Sequence, residues 1–431
     1  MSDTIRRYQD FVMTGFIKVQ PITIERAKGA LVWDDTGREY VDCFAGISVM
    51  NAGHGNPEVV AAAKEQMEKL VHCCSYVYHV KPVADLAEAI ARIAPGGRLR
   101  KTFFGNSGAE AVEGALKLAR LYTGRHEFLS LQMSFHGRTW GSLSVTGNAG
   151  RKRRGGPYAP GITFVPAPYV YRSQTPDDPD AVVRQAVKAV EEAIAYSTTK
   201  DIAAMIAEPV LGEGGILVPP ANYFLELKKV LDAHGILLIV DEVQSGFGRA
   251  GKMFAIEHYG VEPDILVMAK GIADGFPLGA FTARDEIAAA FQPGDHLSTF
   301  GGNPVSCAAG FANVQFMLRE NLPEKSRQKG EYAMALLREK RLPLVGDVRG
   351  LGLMIGMELV KDAAKAPAAA EANAVREACL RRGVLVGVGG AFGNVLRLQP
   401  PLVISKDELD RAIAAVSESL VEVGAVAMAA R

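Results

Sequence analysis

The stretch GILLIVDEVQSGFGRAG, residues 235–251, followed after a short helical segment by PDILVMAKG, residues 263–271, decides how the rest of the chain is read. An apolar run from Gly235 to Val240 stops abruptly at the acidic pair Asp241 and Glu242, and a second run, Ile265 to Ala269, ends on Lys270. Near-continuous β-branched and leucine runs of this length predict strands buried on both faces, as in a parallel sheet covered by helices. Both strands then finish on charged side chains at the carboxyl edge, where open α/β sheets place their ligands. A lysine there is desolvated, which lowers its pKa and makes it a competent amine nucleophile. An aspartate at the end of a neighbouring strand suits a positively charged ring nitrogen. A lone lysine at a strand end is ordinarily a solvated cap; the pairing of an Asp-ended strand with a Lys-ended one is what points to a Schiff-base lysine and a pyridinium partner, the arrangement that pyridoxal phosphate chemistry requires.

Length and composition bound the alternatives. A chain of 431 residues allows about three domains, or one large α/β domain with a smaller one. The 48 basic and 48 acidic residues cancel, so no overall field favours nucleic acid or an anionic membrane. Five cysteines form no framework spacing, which points to a reducing compartment. The N-terminal segment MSDTIRRYQDFVM lacks the apolar core of a signal peptide, and no apolar run approaches the ~18 residues that span a bilayer. A cytoplasmic protein is expected.

Outward from the central stretch, residues of about 100–300 alternate strand and helix in the βαβ rhythm of a parallel sheet. Lys101 to Phe104 leads into Ser107 and Gly108 and a helix from Ala109; Phe128 to Leu131 precedes Phe135 and His136; Ile202 to Ile206 ends at Glu208. Before this region, Thr23 to Gly29, Ala30 to Trp33 and Glu39 to Asp42 read as short strands with a turn at Asp34 to Gly37. Phe44 to His54 is too glycine-dotted for a helix and reads as a loop near a site. Pro57 to Leu70 and Pro82 to Ile93 have helical spacing, as does Pro304 to Leu318. Beyond about residue 325 the pattern becomes α+β: glycine-punctuated strand from Val345 to Val360, an Ala/Lys/Pro-rich excursion from Ala363 to Ala372, a helix to Arg382, strands at Val384–Val386 and Val395–Leu398, and a last helix from Lys406. The early strands need a partner sheet, and this C-terminal unit is the natural one. The expected division is a small α+β domain from residues 1–59 and 326–431 and a large α/β domain from 60–325.

Several motifs have plain readings beside functional ones. Ser107-Gly108-Ala109 at a helix start is either an anion site, with exposed N–H groups and the positive end of the helix dipole, or an ordinary Ser cap. Gly246 to Gly251 spells GxGxxG, but the preceding strand ends four residues too early and Met253 stands where a magnesium-binding Ser/Thr belongs, so nucleotide binding is not expected. His72, Cys73 and Cys74 with His79 invite a metal reading, yet adjacent cysteines cannot easily share one tetrahedral ion and no CxxC partner exists; no metal is expected. Arg151 to Arg154 reads as a solvated basic loop without the interleaved aromatics of a nucleic-acid surface. Arg138, Glu213 and Arg397 are single charges near strand ends or glycine turns. As a set around a Lys–Asp pair they suit carboxylate recognition, since arginine grips carboxylates through a bidentate fork.

Seven blocks, in order along nearly the whole chain, resemble the class III pyridoxal phosphate aminotransferases: Asn106 to Ala111, Phe135 to Thr139, Glu208 to Gly215, Asp241 to Arg249, Ala269 to Gly271, Pro277 to Gly279 and Ser298 to Pro304. Within that family the 4-aminobutyrate type is the most similar. The resemblance implies an α/β fold of the PLP-dependent transferase kind (fold type I), with a mostly parallel sheet in the large domain. It implies that Lys270 carries the cofactor and Asp241 keeps its ring nitrogen protonated. Phe135 and Val243 would flank the ring, and Gln244 would meet its phenolic oxygen. Ser107, Gly108 and Ala109 would bind the phosphate, and His136 and Glu208 would complete the cofactor side. Thr299 would reach the phosphate in a neighbouring subunit, which implies a homodimer with shared sites, possibly assembled further into a tetramer. Ile47 and Arg138 would line the substrate pocket, Tyr76 would stand near its mouth, and Glu213 would mask Arg397. The implied reaction moves an amino group from 4-aminobutyrate or a related ω-amine to 2-oxoglutarate or pyruvate. Acetylornithine/ornithine-type and alanine–glyoxylate-type transamination are the alternatives, and a mutase or racemase is a further one.

Overall fold

A computed structural model of the protein describes residues 3–13, 15 and 19–429. The alternating stretch after residue 20 forms an antiparallel set of strands, β1 (Ile24–Lys28), β2 (Leu31–Asp34) and β3 (Glu39–Asp42). The turn between β2 and β3 is fixed by Asp34, whose Oδ1 accepts from the backbone N–H groups of Thr36 and Arg38, both at 3.0 Å. An Asx side chain that satisfies the turn's own amides is why Asp-Asp-Thr-Gly reverses the chain here.

The central sheet has seven strands: β4 (Leu99–Gly105), β5 (Glu127–Leu131), β6 (Ile162–Val165), β7 (Ile202–Ala207), β8 (Leu237–Asp241), β9 (Ile265–Met268) and β10 (Gly279–Arg284). Their spatial order is β4-β10-β9-β8-β7-β5-β6, and all neighbours are parallel except around β10, which runs antiparallel to both β4 and β9. Every residue of β7, β8 and β9 is buried, as the unbroken apolar runs predict. Side chains alternate between two covers. Leu238, Val240, Leu266 and Met268 face one core with Phe224 and Leu227 of the helix Tyr223–Ala233, whereas Ile239, Ile265 and Val267 face another with Val112 and Ala115 of the helix Gly108–Thr123. The carboxyl ends of β7, β8 and β9 therefore sit side by side, held from both faces.

The C-terminal region builds a second sheet from β11 (Val345–Leu351), β12 (Met354–Leu359), β14 (Gly387–Gly389) and β15 (Val395–Leu398), after which the short β13 (Val384–Leu385) remains for another partner. That partner is β3: Val384 lies opposite Val41 in a parallel pair, so the two ends of the chain share one small sheet. The helix Pro304–Arg319 packs on the helices Pro57–Lys69 and Lys81–Ile93.

Two local expectations are adjusted. The Ala-rich excursion ends earlier than its composition suggests, because a helix begins at Ala369, where alanine's propensity takes over after Pro367. The Phe44 to His54 loop contains a left-handed turn in which Ala45, Gly46, Ile47 and Ser48 all have positive φ, a rare conformation for three side-chain-bearing residues. Asp42 Oδ1 accepts from the N–H groups of Phe44 and Ala45 at 2.9 and 2.8 Å and starts that turn. Among the described residues no helix is long and apolar enough to cross a membrane.

Candidate active site

Asp241 ends β8 and Lys270 follows just past the end of the adjacent parallel strand β9, and both line one cavity of about 330 Å³ at the carboxyl edge of the sheet. Asp241 is 3 % exposed and held on both oxygens: Oδ1 accepts from Val243 N–H at 3.0 Å, and Oδ2 meets His136 Nδ1 at 2.7 Å. His136 is itself fixed by its backbone N–H donating to Thr146 Oγ1 at 2.9 Å. Lys270 opens a single 3₁₀ turn after β9 with φ +49, and Asn313 Nδ2 secures that turn by donating to the carbonyls of Gly271 at 2.8 Å and Ile272 at 3.0 Å. Burial lowers the pKa of Lys270, and Glu213, Asp241 and Glu208 oppose that shift only in part.

Opposite these two groups lies the start of the helix Gly108–Thr123. Ser107 caps it, its hydroxyl accepting from Glu110 N–H at 3.2 Å, so the plain reading of this motif is present. The anion-binding geometry is present as well, because Ser107, Gly108 and Ala109 line the cavity. Space is tight around them: a Cβ on Gly108 would come 2.9 Å from Val243, and one on Gly279 would fall 2.0 Å from the Ser107 carbonyl. Phe135 and Val243 form apolar walls, and Gln244 accepts through Oε1 from Gln399 Nε2 at 3.2 Å. Glu208 ties two loops together, Oε1 accepting from Phe135 N–H at 2.8 Å and Oε2 from Gly212 N–H at 2.9 Å. Burial pushes its carboxyl up to about 7.

The charged group at the far wall is Glu213. It accepts from Arg397 Nη1 at 2.8 Å and from Arg151 Nη2 at 3.0 Å. Burial pulls the Glu213 carboxyl upward, but Arg397 and then Arg151 outweigh it and hold the group at about 2. Arg151 therefore departs from the expectation of a wholly solvated basic loop. A one-turn helix, Ala149–Arg151, aims it inward, while Arg153 and Arg154 stay exposed.

Five of the residues expected at the site do not line this cavity within the single chain; Arg397 is one of them and meets it only through Glu213. Tyr76 is tied elsewhere: its hydroxyl lies 2.8 Å from the Phe104 carbonyl and 2.7 Å from the Phe104 N–H, and its ring stacks on Phe103. Ile47 lies in the left-handed turn, which instead presents Val49 to the cavity. Arg138 is exposed, its guanidinium 5.4 Å from the centre of the Phe135 ring. Thr299 is exposed on a loop held by the His72 to Tyr78 segment, with His72 against Phe300 and Ser75 Oγ donating to the Gly301 carbonyl at 2.9 Å. The cavity also includes Val49, Asn106, Gly137 and the run Gly275 to Leu278. Val49, Gly275 and Phe276 carry no chemical signature in sequence, whereas Asn106, Gly137, Pro277 and Leu278 lay within motifs already singled out.

A nucleophilic buried amine, a carboxylate held for a cationic partner and an open helix N-terminus for an anion fit a phosphorylated, cationic heterocycle that carries an electrophilic carbon. The family described as Aminotransferase class-III matches residues 16–420. The chain belongs to the class III aminotransferases. Members of this family are pyridoxal phosphate enzymes that act on amines and keto acids. An acetylornithine aminotransferase of Methanopyrus kandleri is 47% identical over 93% of this chain and 94% of its own length. A 5-aminovalerate aminotransferase DavT of Pseudomonas putida is 39% identical, covering 96% of each chain. A leucine/methionine racemase of Thermococcus litoralis is 41% identical, covering 97% of each chain. Among solved structures, a thermostable (S)-enantioselective omega-transaminase from Thermomicrobium roseum superposes with a TM-score of 0.92 at 36% identity, covering 98% of both chains.

Proposed function

We propose that this class III aminotransferase takes its amino group from an amino acid that reacts through a terminal amine, such as 4-aminobutyrate, 5-aminovalerate or a δ-amine of the acetylornithine type, and passes it to a dicarboxylic keto acid such as 2-oxoglutarate. The observation that carries this reading is the pairing of Glu213 with Arg397 at the wall of the cavity that holds Lys270. A terminal-amine donor brings no carboxylate beside its reacting carbon, so a bare buried arginine would face it uncompensated. Glu213 neutralises Arg397 for that donor and withdraws for the α-carboxylate of the acceptor. The names of the relatives that act on acetylornithine and 5-aminovalerate support the same donor class.

Pyridoxal phosphate, when bound, supplies an aldehyde that exchanges amines and a cationic ring that absorbs negative charge from the donor carbon. Lys270 would hold it, and its buried Nζ would then carry the proton removed from the donor carbon. Asp241, fixed by His136 and Val243, would keep the ring nitrogen cationic. Ser107, Gly108 and Ala109 would hold the phosphate, Phe135 and Val243 would exclude water from the ring faces, and Gln244 would orient the ring oxygen. Arg138 would take the donor's distant carboxylate, and Ile47 would shape the approach. Thr299, exposed beside Leu297 and Phe300, would complete a phosphate site in a second copy, making the working unit a homodimer.

The deciding experiment is a panel of donors and acceptors with the purified holoenzyme. Turnover of terminal-amine donors with 2-oxoglutarate, well above that of simple α-amino acids as donors, is the expected result. Inversion of an α-amino acid without any acceptor, in place of transamination, would replace this reading with racemisation.

A further inference from the structure

Glu213 does not rest on Arg397 alone. Its Oε1 accepts from Arg397 and its Oε2 from Arg151, so the carboxylate is strung between two guanidiniums that arrive from distant parts of the chain. Arg397 comes from β15 with its side chain 2% exposed, and Arg151 comes from the loop side at 25%, with Glu213 between them at 7%. The inward aim of Arg151 is built in. Asn148 Oδ1 accepts from Gly150 N–H at 3.1 Å and starts the one-turn helix that carries it, while the neighbouring Lys152 is drawn away over the Phe164 ring at 4.0 Å.

Resting on the reading that Glu213 masks and releases Arg397, we infer that Arg151 is a positioning residue that sets how readily the site admits a second substrate carboxylate: it is the pivot on which Glu213 turns when Arg397 is released. A buried carboxylate that leaves its sole cationic partner is left uncompensated at high cost. A carboxylate that keeps one oxygen on Arg151 gives up only half of its pairing, and its place on Arg397 is taken by the incoming carboxylate.

The test compares the wild-type holoenzyme with Arg151→Ala and Arg151→Lys. Calorimetric titration with glutarate, which carries two carboxylates, and with butyrate, which carries one, reads binding without turnover. Arg151→Ala is expected to weaken glutarate about tenfold or more and butyrate less than about threefold, with most of the loss recovered by Arg151→Lys. In half-reactions followed by cofactor absorbance, the same Ala variant is expected to raise KM for 2-oxoglutarate with little change in kcat, and to leave the terminal-amine half-reaction within about threefold. Equal weakening of both ligands, or no weakening of either, overturns the pivot. The two readings fail separately: a wild-type enzyme that transfers from terminal amines to 2-oxoglutarate while Arg151→Ala binds glutarate normally retains the function and loses the pivot. Loss of glutarate binding in an enzyme that rejects every terminal amine does the reverse.

Discussion

In the proposed reaction Lys270 and Glu213 hold roles that no other side chain lining the cavity duplicates. Lys270 is a buried amine whose pKa is lowered by desolvation, which favours its neutral, nucleophilic form. Replacing it with alanine removes both the nucleophile and the proton carrier, and turnover is expected to fall by about 10³-fold or more, read from product formation and from loss of the cofactor–lysine absorbance band. Glu213→Ala leaves the fold's core untouched but exposes Arg397. The expected outcome is a loss of about tenfold or more in kcat/KM for terminal-amine donors, with 2-oxoglutarate still accepted. A variant that loses both substrates equally would show that Glu213 serves structure and not selection. Lys270 was legible in the sequence because a strand that ends on a charge is a local pattern. The partnership of Glu213 with Arg151 was not, because the two are 62 residues apart and the basic run around Arg151 looks like a solvated surface.

At the scale of elements, the site depends on how closely β10 approaches the helix Gly108–Thr123. A side chain at Gly279 would press into the Ser107 carbonyl, which is backbone and cannot rotate away. Gly279→Ala is therefore expected to weaken pyridoxal phosphate about tenfold in a titration and to lower Tm, whereas a change at an open glycine such as Gly260 would act only through its left-handed φ. The end of β8 makes a second prediction. Glu242 is fully buried, accepting from Ser245 Oγ at 2.5 Å and from Ile256 N–H at 2.7 Å, and burial raises it from 4.5 to about 7. The folded state thus keeps this proton between pH 4.5 and 7, where the unfolded chain has released it. The stability from that difference is full below the unfolded pKa and lost as pH rises through the folded one. Glu242→Gln, lacking the titration, is expected to gain Tm relative to the parent as pH is raised from about 5 to 8; a constant difference across that range would contradict this.

The whole molecule brings its strands' carboxyl ends to one cavity and leaves several large apolar side chains exposed on two neighbouring segments. Val77, Tyr78, Leu297 and Phe300 are 58–64% exposed and lie on two segments that hold each other, beside Thr299. A surface of this kind is expected to be covered by a second copy. Sedimentation should show a dimer, and Phe300→Asp should yield a folded monomer that binds the cofactor weakly and turns over at least about tenfold more slowly. A monomeric parent with full activity would exclude shared sites.

The amino-acid sequence by itself determined the sheet-and-helix plan, the Asp241 and Lys270 strand ends and the helix start at Ser107, because each is written in neighbouring residues through periodicity, burial and capping. It also showed that the short early strands need hydrogen-bond partners, which the structure supplies through the pairing of β3 with β13. Only the tertiary structure decided that β10 runs against its neighbours, that Tyr76 is spent on the Phe104 backbone, and that Arg151 turns inward to share Glu213 with Arg397. Those outcomes depend on charges and backbone groups that meet across tens to hundreds of residues, where packing in three dimensions chooses among partners that local pattern leaves equivalent.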